Sequence, residues 1–149
     1  MDNISLSFQK ILGKLLSAGQ QSFSRITLKK EIVEEITEFA RGAYPHEFVA
    51  ALEGEVKSGT LTITGLLYQP FRASENTALP DALLPLPMTS GSVGSVHSHP
   101  SGSSNPSRQD LHFFAKKGII HLIIKYPFRP EDIACYNLKG ERCGFEIVN

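Results

Sequence analysis

His97-Ser98-His99-Pro100-Ser101-Gly102-Ser103-Ser104-Asn105-Pro106-Ser107-Arg108-Gln109-Asp110 is the stretch on which the reading of this chain turns. It is entered from Ser92 to His97, which reads as a short strand, and left through Ser107 to Lys117, which reads as a helix ended by Gly118. Two histidines one residue apart at a strand end share a face, because side chains alternate along a strand. Both imidazoles can then reach one ion. The following Pro and Gly turn the chain sharply, and the turn can return Asp110, in the first helical turn, to the same ion. Two His and one carboxylate leave a fourth tetrahedral position for water, the pattern of a catalytic rather than a closed structural zinc site. The same donor set with open positions also suits iron(II).

A plainer reading competes. Ser107-x-x-Asp110 before an amphipathic run is a capping box, with Asp110 favourably placed near the positive end of the helix. His-x-His pairs also arise by chance on exposed strands. Either fragment alone is weak evidence; their conjunction with two turn residues inside one short window is what points to a site. The cap and the ligand role are compatible, since Ser107 and Asp110 each carry more than one polar group.

Working outward, the periodicity predicts an N-terminal helix with Ile4, Phe8, Ile11, Leu12, Leu15 and Leu16 on one face. A second helix is expected over Leu28 to Arg41, with Thr27 as N-cap and Gly42 and Pro45 as stops. Glu47 to Val56 and Thr60 to Tyr68 read as strands joined by a turn at Lys57-Ser58-Gly59. Gln69 to Gly91 holds four of the prolines and reads as a long loop, with Leu83 to Met88 able to supply apolar pockets. Ile119 to Tyr126 reads as a buried strand, and Asp132 to Leu138 and Arg142 to Val148 as two strands around a Lys139-Gly140 turn. Helices flanking a mixed, largely antiparallel sheet give an α/β (α+β) class. The expected organisation is an N-terminal helical extension, 1–24, and a single domain, 25–149.

The whole-chain arithmetic bounds the function. At 149 residues the chain has the size of one ordinary domain, large enough to bury a core without disulfides. Fifteen Lys and Arg balance fifteen Asp and Glu, so no positive surplus points to nucleic acid or to an anionic membrane surface. The first residues lack the pattern of a secretory signal, and the longest stretch poor in charge is broken by Pro, Gly and Ser, which excludes a membrane span there. A cytoplasmic protein is expected. Cys135 and Cys143 are too few for a zinc knuckle and are expected as reduced core or edge residues, although strands facing each other would allow them to pair.

The central window resembles the JAMM (MPN+) metalloprotease family. Its signature, His-x-His-Pro-x-Gly-x-x-x-Pro-Ser-x-x-Asp, is met by His97, His99, Pro100, Gly102, Pro106, Ser107 and Asp110. The family carries a catalytic glutamate well upstream. Pro45-His46-Glu47-Phe48-Val49-Ala50-Ala51-Leu52 resembles that segment, with Glu47 at the catalytic position; on local pattern alone Glu53 and Glu55 are equal candidates. The resemblance spans about Lys29 to Tyr136, is closest to compact archaeal and bacterial members, and leaves the first helix unmatched. It implies a single MPN domain with a cytidine-deaminase-like mixed sheet.

It further implies one catalytic zinc ion held by His97, His99 and Asp110. Glu47 would serve as general base and then general acid, and Ser107 would donate to the oxyanion, with no covalent intermediate. The implied substrates are ubiquitin-like modifier proteins and their conjugates, cut after the modifier's C-terminal glycine in the manner of a deubiquitinase or desampylase. Only seven residues lie between Asp110 and Gly118, which leaves no room for the insertion of linkage-selective relatives. Two alternatives remain: processing of sulfur-carrier precursors that share the ubiquitin-like tail, and a non-catalytic scaffold, which the full donor set disfavours. No nucleic-acid or membrane partner is expected, and His46, His112 and His121 are expected to be structural or surface residues. The oligomeric state is left open.

Overall fold

The computed structural model describes residues 22–67, 92–116 and 118–149. The expected helix around Ile4 to Leu16 and the loop Gln69 to Gly91 lie outside the described residues. The strands are β1 (Arg25–Lys29), β2 (Val49–Lys57), β3 (Thr60–Leu67), β4 (Ser92–His99), β5 (Ile120–Lys125), β6 (Ile133–Asn137), β7 (Arg142–Cys143) and β8 (Glu146–Val148). Two helices, α1 (Lys30–Ala43) and α2 (Arg108–Phe114), complete the described elements, with a short 3-10 turn at Pro130–Asp132 before β6. No helix among the described residues is long and apolar enough to cross a membrane.

The eight strands form one mixed sheet in the order β7-β6-β5-β4-β2-β3-β1-β8. β1 runs parallel to β3 and β8, and β4 parallel to β5, while the other neighbours are antiparallel. The expected hairpin between β2 and β3 is present, closed by Ser58 and Gly59 with φ of 50° and 74°. Two positive φ angles make the turn whose twist matches that of paired strands.

Two expectations are corrected. Thr27 does not cap the first described helix. Arg25–Lys29 is a strand that runs directly into α1, and Lys29 stands at the N-cap without a side-chain hydrogen bond. The reason is long-range pairing: Ile26 and Leu28 are buried, and Thr27 Oγ1 donates to Thr62 Oγ1 of β3 at 3.0 Å. The expected strand Arg142 to Val148 is likewise divided, with β7 pairing with β6 at one edge of the sheet and β8 with β1 at the other. An Arg25–Glu146 ion pair ties down the β8 end.

That division shapes the molecule. Only Gly144 and Phe145 separate the two edge strands, so the edges lie within about 11 Å along the chain. Eight flat strands would span roughly 34 Å. The sheet therefore curls towards closure. Its concave face wraps α1, whose Ile32, Val33, Ile36 and Ala40 pack with Leu28, Leu52, Leu61, Ile63, Val96, Leu122 and Ile124 in the main core. The opposite face carries a smaller cluster in which Phe113 and Phe114 of α2 meet Ala51, Ile123, Ala134 and Tyr136.

Gly94 sets the spacing of the two strands on which the site rests. A Cβ there would stand 1.7 Å from the carbonyl oxygen of Ile120, so only glycine allows β4 and β5 to pair at this point.

Candidate metal centre

β4 lies in the interior of the sheet, paired on both sides, which makes it a stiff base. Val49 is opposite His97 and Ala51 opposite Ser95, and Ile123 and His121 flank the same two positions from β5. Since alternate residues share a face, Ser95, His97 and His99 all point towards α2. The Pro100 to Pro106 turn brings Asp110 over that face. Its position is fixed by the expected capping box: the Asp110 N–H donates to Ser107 Oγ at 3.1 Å, and the Ser107 N–H donates to Asp110 Oδ2 at 2.6 Å.

The three donors converge. His97 Nε2 and His99 Nε2 are 3.0 Å apart, His97 Nε2 is 3.3 Å from Asp110 Oδ1, and His99 Nε2 is 3.4 Å from Asp110 Oδ2. Ligands on a tetrahedral zinc at about 2.05 Å stand about 3.3 Å from one another; the two imidazole nitrogens lie near that separation, and each has a different oxygen of the Asp110 carboxylate at a similar distance, so one ion could be reached by all three residues. The donor chemistry fits as well. His99 Nδ1 is 2.9 Å from the Ser103 carbonyl; a carbonyl only accepts, so Nδ1 carries the proton and Nε2 presents a lone pair to the centre. Among the described residues, these three form the one group of His, Cys, Asp and Glu able to hold a metal ion.

Electrostatics follow from the same contacts. Burial by itself would raise the Asp110 pKa, but the His97 and His99 imidazoles and the Ser107 N–H outweigh it and hold the carboxyl well below the usual carboxylate range. Burial would lower the His99 pKa, and contacts with Asp110, the Ser103 carbonyl and the more distant Glu47 charge together raise it. The pocket therefore favours positive charge beside the Asp110 carboxylate, which a divalent cation would also supply.

Glu47 stands at the edge of this centre. It precedes β2 by two residues, so continuing the Val49–His97 register places it opposite His99 and on the histidine face. The residue is exposed. Glu53 pairs with Ser92 at the far end of β4, and Glu55 lies farther along β2, so neither is brought to the histidines. Ser107 is exposed on the same side; its oxygen accepts the Asp110 N–H, which leaves its own proton free to donate. His46 and His112 are exposed and make no part of the cluster.

Residues behind the centre were not legible as contributors. His121, fully buried, faces Ser95 Oγ through Nδ1 at 2.7 Å and stacks on Phe114 at 4.1 Å between ring centroids. Phe114 also approaches the His97 ring, at 6.4 Å. Tyr136 OH donates to the Ser104 carbonyl at 2.8 Å and so ties β6 to the ligand-bearing turn. The only sequence signal for these was apolar burial. Cys135 and Cys143 stand directly opposite each other on β6 and β7 as free thiols. They pack with the main core, away from the histidine face, and burial, with the neighbouring Cys143, pushes the Cys135 thiol up to about 12.

Comparison with known proteins agrees with this geometry. Residues 29–139 match the family described as prokaryotic homologs of the JAB domain. A probable metalloprotease of Haloferax volcanii is 31% identical, over 71% of this chain and 69% of the relative. A solved structure described as "JAMM: A Metalloprotease-like Zinc Site in the Proteasome and Signalosome" has a TM-score of 0.63 and 29% identity, covering 85% of this chain and 100% of that one. A JAB1/MPN domain protein from Archaeoglobus fulgidus has a TM-score of 0.62 and 30% identity, covering 85% and 99%.

Proposed function

The chain belongs to the JAB (JAMM/MPN) metalloprotease family, and from that premise we propose that it is a zinc isopeptidase that cleaves after the C-terminal glycine of ubiquitin-like modifiers. The observation that carries the reading is the meeting of His97, His99 and Asp110 within reach of one ion, with the register of β2, continued to Glu47, putting that residue on the same face. Zinc in this position supplies a Lewis acid and lowers the pKa of a water molecule towards neutrality.

The chain's own residues do the rest. His99, with its tautomer fixed by Ser103, and His97 would hold the ion from a strand paired on both sides. Asp110 would supply the carboxylate ligand, its Oδ2 also accepting the Ser107 N–H. Glu47, exposed at the rim, accepts a proton from the attacking water and returns it to the departing lysine amine. Ser107 donates its hydroxyl proton to the oxyanion of the tetrahedral intermediate. Neither cysteine enters the chemistry.

The reading draws support from the solved relative described as having a metalloprotease-like zinc site in the proteasome and signalosome. The short passage from α2 to β5, Ala115 to Ile119, supports a broad rather than linkage-selective enzyme. Incubation of the zinc-loaded protein with isopeptide conjugates, linear fusions and sulfur-carrier precursors, with and without chelator, tests the reading. The expected result is chelator-sensitive cleavage of isopeptide conjugates by the wild type and none by Glu47→Ala, which keeps its zinc. Cleavage of sulfur-carrier precursors alone would move the assignment to processing, and a zinc-loaded protein inert to all three would remove it.

A further inference from the structure

The two histidines of β4 face α2, and Ser98 between them faces the other way, fully buried against the α1 side of the sheet. Its hydroxyl accepts the backbone N–H of Phe48 at 2.8 Å, and its own N–H donates to the Phe48 carbonyl at 2.9 Å. These two bonds grip both polar groups of the residue that follows Glu47. They act just where β2 enters the sheet, since its strand begins at Val49. Phe48 is fixed from its side-chain end too: it is buried and stacks on Phe39 of α1 at 5.6 Å between centroids. Upstream, the His46 N–H donates to the Ala43 carbonyl at 2.8 Å, in the turn that leaves α1.

We propose that Ser98 is a positioning residue for Glu47: one strand residue holds the zinc-site histidines on one face and, through Phe48, sets the catalytic carboxylate at a fixed distance from them on the other strand. The inference rests on the reading of Glu47 as the proton carrier. Its logic is that Glu47 is exposed, so the backbone that carries it does most to set its place. An unclamped Phe48 lets the peptide before it move relative to His99. A displacement of the order of 1 Å in a reacting group costs about 100-fold in rate, whereas the ion, bound by side chains on the opposite face, is left in place.

The test compares wild type, Ser98→Ala and Ser98→Thr as full chains, each with its zinc dissociation constant, its thermal midpoint with and without zinc, and kcat and KM on the conjugate that the wild type cleaves. Ser98→Ala is expected to bind zinc within about twofold of the wild type and to keep KM, while kcat falls by about 10- to 100-fold. Ser98→Thr, which restores the hydroxyl, is expected to recover most of kcat. Because a buried methyl can disturb packing, a double-mutant comparison stands beside it. Adding Ser98→Ala to Glu47→Gln is expected to lower residual activity no further, whereas independent roles would multiply. A Ser98→Ala protein with wild-type kcat, a kcat loss that tracks lost zinc affinity, or multiplicative losses with Glu47→Gln would each overturn the clamp while leaving the isopeptidase reading intact. If zinc-loaded wild type cleaves nothing, the isopeptidase reading falls, and the clamp's catalytic role falls with it.

Discussion

The proposed mechanism gives Ser107 two jobs whose energies separate cleanly, and a short series of substitutions reads them apart. As a cap, its Oγ accepts the Asp110 N–H at 3.1 Å; replacing such a cap by Ala destabilises by about 1 kcal/mol, and by Gly only a few tenths. For a domain of this size 1 kcal/mol is roughly 2–4 °C in Tm. As an oxyanion donor, its loss removes about 2.7–4 kcal/mol of transition-state stabilisation, a fall of about 100- to 1,000-fold in kcat. Asp110 keeps its second support in every variant, because the Ser107 N–H that donates to Oδ2 belongs to the backbone. Zinc affinity should therefore change little. Ser107→Ala is expected to lose both stability and rate. Ser107→Gly loses the rate at almost unchanged Tm. Ser107→Thr keeps both. Calorimetry and steady-state kinetics on the same zinc-loaded samples check the set. Normal kcat in Ser107→Gly would reduce the residue to a cap and refute the donor role.

Metal linkage and strand spacing supply two further tests. Zinc at 100 times its dissociation constant stabilises a folded protein by about 2.7 kcal/mol, so chelation should lower Tm by roughly 5–11 °C; Asp110→Asn should lose most of that difference, and a wild-type Tm indifferent to chelator would show that no tight ion is held. Gly94→Ala sets a methyl group 1.7 Å from a backbone oxygen of Ile120, so the β4–β5 pair must part. A loss of about 3 kcal/mol or more is expected, above the usual range for overpacking because the obstacle is backbone, and an unchanged melting curve would contradict the observed strand spacing.

The zinc ligands were readable because strand parity and helix capping are local rules: His97 and His99 share a face by a two-residue repeat, and Ser107 and Asp110 meet by a three-residue one. Glu47 was different. Local pattern left it level with Glu53 and Glu55, and only family resemblance preferred it. What separates them is the antiparallel register of β2 on β4, which pairs Glu53 with Ser92 and, continued two residues before Val49, brings Glu47 opposite His99. Register is set by partners fifty residues away and leaves no periodic mark. β1 was missed for the same reason, since five residues running straight into a helix carry too little alternation to be seen. The split between β7 and β8 was invisible because each strand pairs with a different edge, and Gly144 looks like any other glycine in a strand-like run.

The least secure corner of the centre is Asp110, and what secures it lies beyond the signature. His97 and His99 stand on a strand paired on both sides. Asp110 instead rides on α2, seven residues long, well below the length at which a helix holds itself in water. Its capping box contributes about 1 kcal/mol. Phe113 and Phe114, three and four residues after Asp110, fall on its face of the helix and are buried against Ala51, Ile123 and Tyr136. Each such burial contributes roughly 1.5–3 kcal/mol, more than the cap. Phe114 is in turn sandwiched towards His121, which faces Ser95 on the same strand as the histidines. The third ligand is thus returned to the first two through a packed path, Asp110 to Phe114 to His121 to Ser95, that closes on β4 itself. The motif that makes a metal centre here does not stop at its aspartate; physically it continues through the aromatic pair that keeps the aspartate in range.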